Sequence, residues 1–361
     1  MSAKVAHRFR YIRMLFVVAS CLFFSNRADA ISFALDSIAE WGKFPRFCID
    51  VYRWGDKFFN TYDSTYVVGT GTKFNVKFTT DSWLDYYHFV LPDIDNTSIE
   101  DRSINLISRP STSVGVHLTY LAVSVGYDIN LTSLFKGIKE ARQRYQFGFN
   151  CALFGAEAYK ESNDVGTKMT RFGDMHHLNI PFHGMHSESW GIDAYYFLNN
   201  KRYSQAAAFS FSKLQIQSQG SFYVGLSVYS QKYDFDFSGL EKYLLDKLPP
   251  EWINYHFSTN TQNYGIRIGY GYNWVFAKNW LLGASISPTI GIKHGFTNSD
   301  TEKTSFSLFN RAKLSIVWNK GRWFIGAVAS ANTAVVSDRQ SLLLGSDMSI
   351  QAAAGFRFNL W

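Results

Sequence analysis

Three cysteines in 361 residues are too few for a disulfide scaffold. Only Cys48 and Cys151 lie beyond residue 30, so the later chain can form one bridge at most. That later chain also lacks any run of 18 apolar residues, which excludes a membrane-spanning helix. There is no phosphate-cradling Gly-Lys-Ser/Thr loop, and the glycines of "VVGTGTKF" open a strand and not a helix, so nucleotide-binding turns are missing. A basic stripe is missing too. Lys4, Arg8, Arg10, Arg13 and Arg27 against Asp29 place +4 of the +7 formal charge before residue 31, and the small remainder argues against a nucleic-acid partner.

What is present is apolar and aromatic. A hydrophobic content of 46% excludes a disordered chain, and 17% aromatic residues suit pleated surfaces and membrane–water interfaces. Residues 1–30 read as an export signal: a basic segment to Arg13, the apolar run "MLFVVASCLFF", then "SNRADA" with Ala28 and Ala30 at the small-residue spacing of a cleavage site. Cleavage is expected after Ala30. A lipidated Cys21 in "VASC" is the rival, but bulky Leu22 and Phe23 follow that cysteine.

From residue 73 onward apolar and polar residues alternate with period two, the mark of strands with two unlike faces. "YGIRIGYGYNW" (264–274) sets Ile266, Ile268, Tyr270, Tyr272 and Trp274 against Gly265, Arg267, Gly269, Gly271 and Asn273. The pattern predicts about twelve strands, near 73–80, 112–121, 122–132, 145–158, 188–199, 203–216, 220–234, 262–276, 280–294, 307–318, 322–335 and 347–361. Most runs reach the roughly 9–11 residues that a tilted strand needs to cross hydrocarbon, beyond the five or six usual in soluble proteins. The fold expected is all-β: a transmembrane antiparallel up-and-down barrel with a short N-terminal helical segment in "ISFALDSIAEWGKF" (31–44). Residues 31–72 are expected to form a periplasmic lead-in or plug, and 73–361 the outer-membrane barrel.

The terminal "GFRFNLW" resembles the C-terminal strand by which outer-membrane barrels are recognised for insertion. Gly355, Phe356, Phe358, Leu360 and Trp361 would carry that signal to the barrel-assembly machinery. Two features strain the scheme. Pro288 cannot donate to a ladder and implies a bulge or a broken strand, and twelve strands counted this way put the long segment 159–187 at the periplasmic end, where turns should be short.

Three stretches carry a family likeness: "DSTYVVGTGTKFNVKF" (63–78), "YYFLNNKRYSQAAAFSFSKLQIQSQGSFYVGLSVY" (195–229) and "GYGYNWVFAKNWLLGASISPTIG" (269–291). The chain resembles domain of unknown function 4421, an uncharacterised family of outer-membrane proteins of Bacteroidetes-type bacteria. The resemblance implies an outer-membrane barrel and makes Pro288 a family feature. It brings no activity, substrate or catalytic residue.

For chemistry, the alternation places Lys77, His117, Asp128, Asn150, Asp193, Arg267, Lys293, Arg311, Lys313 and Arg357 on the inward row. Cations dominate that row, so a small channel or solute-binding barrel for an anionic small solute is expected; the alternative is a structural or surface-interaction barrel with a filled lumen and partner-binding loops. "GDMHHLNIPFHGMHSESW" (173–190) gathers His176, His177, His183 and His186 as candidate metal ligands, or simply a polar loop. Ser187 and Ser189 beside those histidines suggest an outer-membrane hydrolase only weakly, because a triad is defined by geometry. No enzyme activity, catalytic residue or cofactor is assigned; outer-membrane lipid is the expected surrounding.

Overall fold

The structure, a computed structural model, describes residues 61–359 apart from 91–97, 99–101, 121–122, 132–141, 164–165, 183–184, 237, 239, 241, 246–255, 298–302 and 338–341. In chain order the strands are β1 (Val67–Gly69), β2 (Phe74–Val90), β3 (Ser103–Ser108), β4 (Ser111–Tyr120), β5 (Val123–Asn130), β6 (Arg142–Asn150), β7 (Phe154–Asn163), β8 (Thr167–Phe172), β9 (Ile180–Phe182), β10 (Met185–Phe197), β11 (Lys213–Gln215), β12 (Gln219–Asp236), β13 (His256–Ala277), β14 (Trp280–Thr297), β15 (Lys303–Lys320), β16 (Trp323–Ser337) and β17 (Leu342–Phe358). The helices are α1 (Gln205–Phe209) and α2 (Lys242–Leu245).

Twelve strands close a ring in the order β2, β4, β5, β6, β7, β10, β12, β13, β14, β15, β16, β17, each antiparallel to the next. Strand β17 then pairs with β2, from Leu342 opposite Val90 to Phe358 opposite Phe74. The ring has no free edge, the condition for a sheet in hydrocarbon. One end carries short turns, Lys278–Asn279 and Gly321–Arg322, with Asn279 at φ 70 and Gly321 at φ 59 in the left-handed region such turns use. Longer connections gather at the opposite end, the asymmetry of outer-membrane barrels.

The alternation is now a pair of surfaces. Ile266 and Ile268 are each 55% exposed, whereas Arg267 between them is 2% exposed. Around the ring Leu226, Ile286, Ile290, Ile316 and Ile325 extend that outward apolar band. Aromatic rows bound it: Phe222, Tyr270, Trp274, Trp280 and Trp323 toward the short turns, Tyr145, Trp190, Tyr264 and Phe306 toward the long connections. From Tyr264 to Trp274 is roughly 33 Å along the strand, or about 25 Å along the axis at a tilt of ~40°, the height of a hydrocarbon band. Ile268→Arg, near mid-height, should cost about 2–4 kcal/mol; reversible unfolding in phospholipid would read it, and unchanged stability would contradict a lipid-facing position.

Several sequence expectations need correction. The run 145–158 is two wall strands, β6 and β7, hinged where the Cys151 N–H donates to the Phe154 carbonyl at 3.0 Å. The run 203–216 is not a wall strand but a strap holding α1 and β11. These two errors cancel in the count of twelve. Correcting them moves 159–187 to the long-connection end and removes the topological conflict. Within it, "TKMTRFG" (167–173) holds a strand, β8, which lies in a branch. Above Trp83, β2 leaves β4 and pairs with β3, which continues to β8 and β9. Pro288 makes no bulge either: β14 keeps its register with β15 at Pro288 opposite Asn310, and the β13 ladder omits only Ile268 and Gly269 before resuming unshifted. The segment 31–44, Cys48, His183, Leu360 and Trp361 lie outside the described residues.

Candidate functional site

The lumen is occupied in three tiers. Nearest the short turns sits the strap 198–218. Ser204 caps α1, its Oγ accepting from the Ala207 N–H at 3.2 Å, and "AAA" at 206–208 favours the helix and packs without bulk. Tyr203, Ala208 and Phe211 are fully buried. The wall holds the strap by polar bonds: Asn273 Nδ2 donates to the Ser204 carbonyl at 2.8 Å and to Gln215 Oε1 at 3.1 Å. Arg357, 1% exposed, donates to the Phe211 carbonyl and to Asn319 Oδ1 at 2.7 Å, with its guanidinium 4.4 Å from the centre of the Phe324 ring. The inward glycines make room for this filling. A Cβ at Gly271 would collide with the Tyr203 hydroxyl, and one at Gly269 with the Tyr223 ring. Outside the strap, β1 pairs antiparallel with β11, and Tyr62 Oη lies 3.3 Å from Ser204 Oγ. The described part of the predicted 31–72 lead-in therefore braces the plug, while the plug itself comes from within the barrel chain.

The middle tier is a chain of ion pairs across the lumen. Arg267 Nη2 lies 2.8 Å from Asp193 Oδ1, Arg311 Nη1 3.1 Å from Asp193 Oδ2 and 2.9 Å from Glu157 Oε2, and Lys313 Nζ 3.2 Å from Glu157 Oε1. Glu157 on β7 and Arg311 on β15 stand five strands apart in a ring of twelve, so the bridge spans the interior and does not run along one wall. Side chains complete the network: Ser227 donates to Asp193, Arg267 Nε donates to Thr289 Oγ1 at 3.2 Å, and Arg311 Nε donates to Asn332 Oδ1 at 3.0 Å. Such pairs survive burial only when their remaining donors and acceptors are also satisfied.

The third tier, at the long-connection end, is apolar. Phe89 of β2 stacks on Phe235 of β12, half-way round the ring, at 5.6 Å, and the branch adds Ile104, Leu106, Met169 and Phe182 to the same core. Cavities lie between the tiers. A cavity of about 80 Å³ lies beneath the apolar cap, lined by Asp85, Tyr159, Glu161, Tyr233, Arg311 and Asp347 among others. One of about 150 Å³ lies between the ion chain and the strap.

Every inward-row candidate is buried or half-buried. Arg267, Asp193, Arg311 and Lys313 meet in the ion chain. His117 Nε2 lies 3.2 Å from Asp128 Oδ1 on the adjacent strand, Lys77 and Asn150 line the larger cavity, and Lys293 is buried higher on β14. The expected cationic excess is corrected: buried Asp81 and Asp85, with Glu157 and Asp347, face the same interior. Strand β2 continues ten residues past the predicted end at 80, and Thr80 and Ser82 on its outward row hide the alternation that would have exposed Asp81 and Asp85. Glu157 was detectable, since it stands directly opposite Asp193 and is flanked by Ala156 and Ala158.

The histidines do not form a cluster among the described residues, where no group of three metal-ligating side chains occurs. His176 and His177 have ring centres 6.5 Å from one another with planes tilted by 54°, and His186 lies 3.5 Å from Glu188 on the outer face of β10. Ser187 and Ser189 occupy the opposite, inward face and line the smaller cavity, so period-two geometry separates them from His186. Of the proposed insertion signal, Gly355 abuts the Phe324 ring, Phe356 packs 4.7 Å from Trp323, and Phe358 stacks 5.5 Å from Phe74.

Fold and lumen together define a membrane-spanning β-barrel with an occupied interior. The chain belongs to the family called domain of unknown function 4421, whose family model matches residues 61–358. Among solved structures it is similar to the outer membrane protease OmpT of Escherichia coli (6% identity over 81% of this chain and 98% of that one, TM-score 0.38). It is also similar to the outer membrane protein OprG of Pseudomonas aeruginosa (10% identity, 81% and 100% coverage, TM-score 0.27). A third likeness is to the Pseudomonas putida toluene transporter TodX (7% identity, 84% and 93% coverage, TM-score 0.27). No curated protein matches the chain.

Proposed function

We propose that this protein is an exported outer-membrane barrel that does not conduct at rest and acts through its long-connection end as a surface-interaction protein. The observation that carries this reading is the ion chain from Arg267 to Lys313, which crosses the lumen between a wedged strap and an apolar cap. An open anion pore would need those cations free to face water, and here they hold Asp193 and Glu157. The long-connection end suits a partner surface. Strand β13 begins at His256, eight residues before the upper aromatic position Tyr264 and so roughly 26 Å farther along the strand. Its outward residues there, Asn260 and Gln262, are polar and exposed.

Purified barrel in planar bilayers is expected to give no discrete conductance steps. Steady anion-favouring steps in the wild-type protein would contradict the closed reading and restore the channel. Density-gradient separation of cell membranes tests the location, with the protein expected in the outer-membrane fraction after removal of residues 1–30.

A further inference from the structure

The short-turn end carries an arc of positive charge that takes no part in filling the lumen. Lys73 before β2, Lys201 and Arg202 after β10, Lys278 between β13 and β14, Lys320 at the end of β15 and Arg322 in the turn beyond it are all exposed. In ring order these positions run from β10 round to β2. Acids are scarce there. The described residues of that end, 61–73, 151–153, 198–218, 278–279, 319–322 and 359, hold one carboxylate, Asp63. It lies 4.0 Å from Arg202 Nε and accepts from the Thr65 hydroxyl at 2.7 Å, so it offsets one cation of the six. Residues 31–60 contain four carboxylates and four Lys or Arg side chains, a net charge of zero.

Where these cations stand decides what they meet. Lys278 follows Phe276 and precedes Trp280, exposed rings 6.1 Å apart on the lipid-facing side. Lys320 continues the outward row of Leu314 and Ile316, and Arg322 precedes the exposed Trp323. Aromatic residues mark the level at which hydrocarbon meets head groups, and a long cationic side chain just beyond them lays its stem on apolar surface and its charge among phosphates. We infer that the short-turn rim is a docking surface for anionic phospholipid, which it gathers around the barrel. The outer-membrane reading supplies only the leaflet, the one facing the periplasm, where barrel turns are short. Should fractionation place the protein in another membrane, the leaflet would change and the lipid preference would not.

Electron paramagnetic resonance of spin-labelled lipids in bilayers holding the full-length barrel provides the test, comparing phosphatidylglycerol with phosphatidylcholine in the immobilised shell. A preference of about 1 kcal/mol for a charged lipid beside a cation is about fivefold in the rim leaflet. Averaged with an indifferent opposite leaflet, the wild type is expected to favour phosphatidylglycerol about threefold. Glutamine at Lys73, Lys201, Lys278, Lys320 and Arg322, sparing Arg202 and its contact with Asp63, should bring the ratio close to one. Salt at 1 M, where the screening length is about 3 Å, should do the same to the wild type and keeps the test decisive if the variant does not fold. Lys160→Gln with Lys232→Gln, opposite Trp190 and Glu188 toward the other end, should leave the ratio unchanged. A wild-type ratio near one would overturn the assignment and leave the rim to a soluble anionic polymer. A preference that survives the rim variant or 1 M salt, or that falls equally in the control pair, would overturn it as well.

Discussion

Asp193→Ala should destabilise the barrel by about 3–5 kcal/mol, the cost of leaving buried charge without its partner. The residue is the hub of the lumen: one carboxylate oxygen faces Arg267, the other Arg311, and its side chain is 3% exposed. Alanine would strand two guanidinium groups, with Arg311 still tied to Glu157 and Arg267 left with Thr289 and Ser227. The double variant Asp193→Leu with Arg267→Leu removes both charges of the closest pair and should recover much of the loss, because an apolar pair of similar volume often equals or exceeds a buried ion pair. Unfolding by urea in phospholipid, scored by the change in gel migration on heating, reads both. Equal stability of wild type and Asp193→Ala would mean that water, and not Asp193, solvates the two arginines.

The second large effect concerns the strap. Replacing residues 200–216 by a short Gly-Ser turn should leave the wall intact, since β10 and β12 are already paired from Met185–Phe235 to Phe197–Tyr223 without it. It should also uncover the larger cavity from the short-turn end. A cysteine placed at Ser349, with Cys48 and Cys151 changed to serine, is expected to react with a membrane-impermeant thiol reagent on the order of 100-fold faster in the deletion, because in the intact barrel reaction must await local opening. The ion chain above stays in place, so the deletion alone should add no conductance. Equal reactivity in both proteins would show that the strap does not seal the lumen.

These outcomes replace an expectation that follows naturally from the sequence. Charges on an inward row look like a selectivity lining, and Arg267 and Arg357 would then set ion preference. In the structure neither faces an open passage: Arg267 closes on Asp193, and Arg357 clamps the strap through the Phe211 carbonyl. Alternation reveals which face a side chain occupies, but not what stands across the lumen, because Glu157 and Arg311 are 154 positions apart in the chain.

The wall was legible for the same reason that the filling was not. Eleven of the twelve predicted runs fall on wall strands, all but 203–216, because lipid outside and a polar lumen inside impose period two directly on the sequence. The strap defeated that rule. Phe209 with Phe211 and Leu214 with Ile216 each keep a two-residue spacing, yet Ser204 begins a helix and the buried residues pack on inward wall positions, not on lipid. At 145–158 the clue was a phase slip: apolar residues fall on odd positions through Leu153 and on even positions from Phe154, and the Cys151–Phe154 turn lies at that slip. The branch strands β3, β8 and β9 are only three to six residues long, with one face buried in the cap and the other half-buried or exposed, which is too short a run for a clear alternation.

The most direct test of the lipid-facing wall is the accessibility of spin labels to dissolved oxygen, placed one at a time in a cysteine-free barrel in phospholipid at Ile266, Ile286, Ile316 and Ile325, and at Asn263, Ser287 and Ser315. High oxygen collision rates at the four isoleucine positions and low rates at the three inward ones are expected. High exposure of the isoleucine positions to a water-soluble relaxing agent would contradict a barrel whose outer face meets lipid.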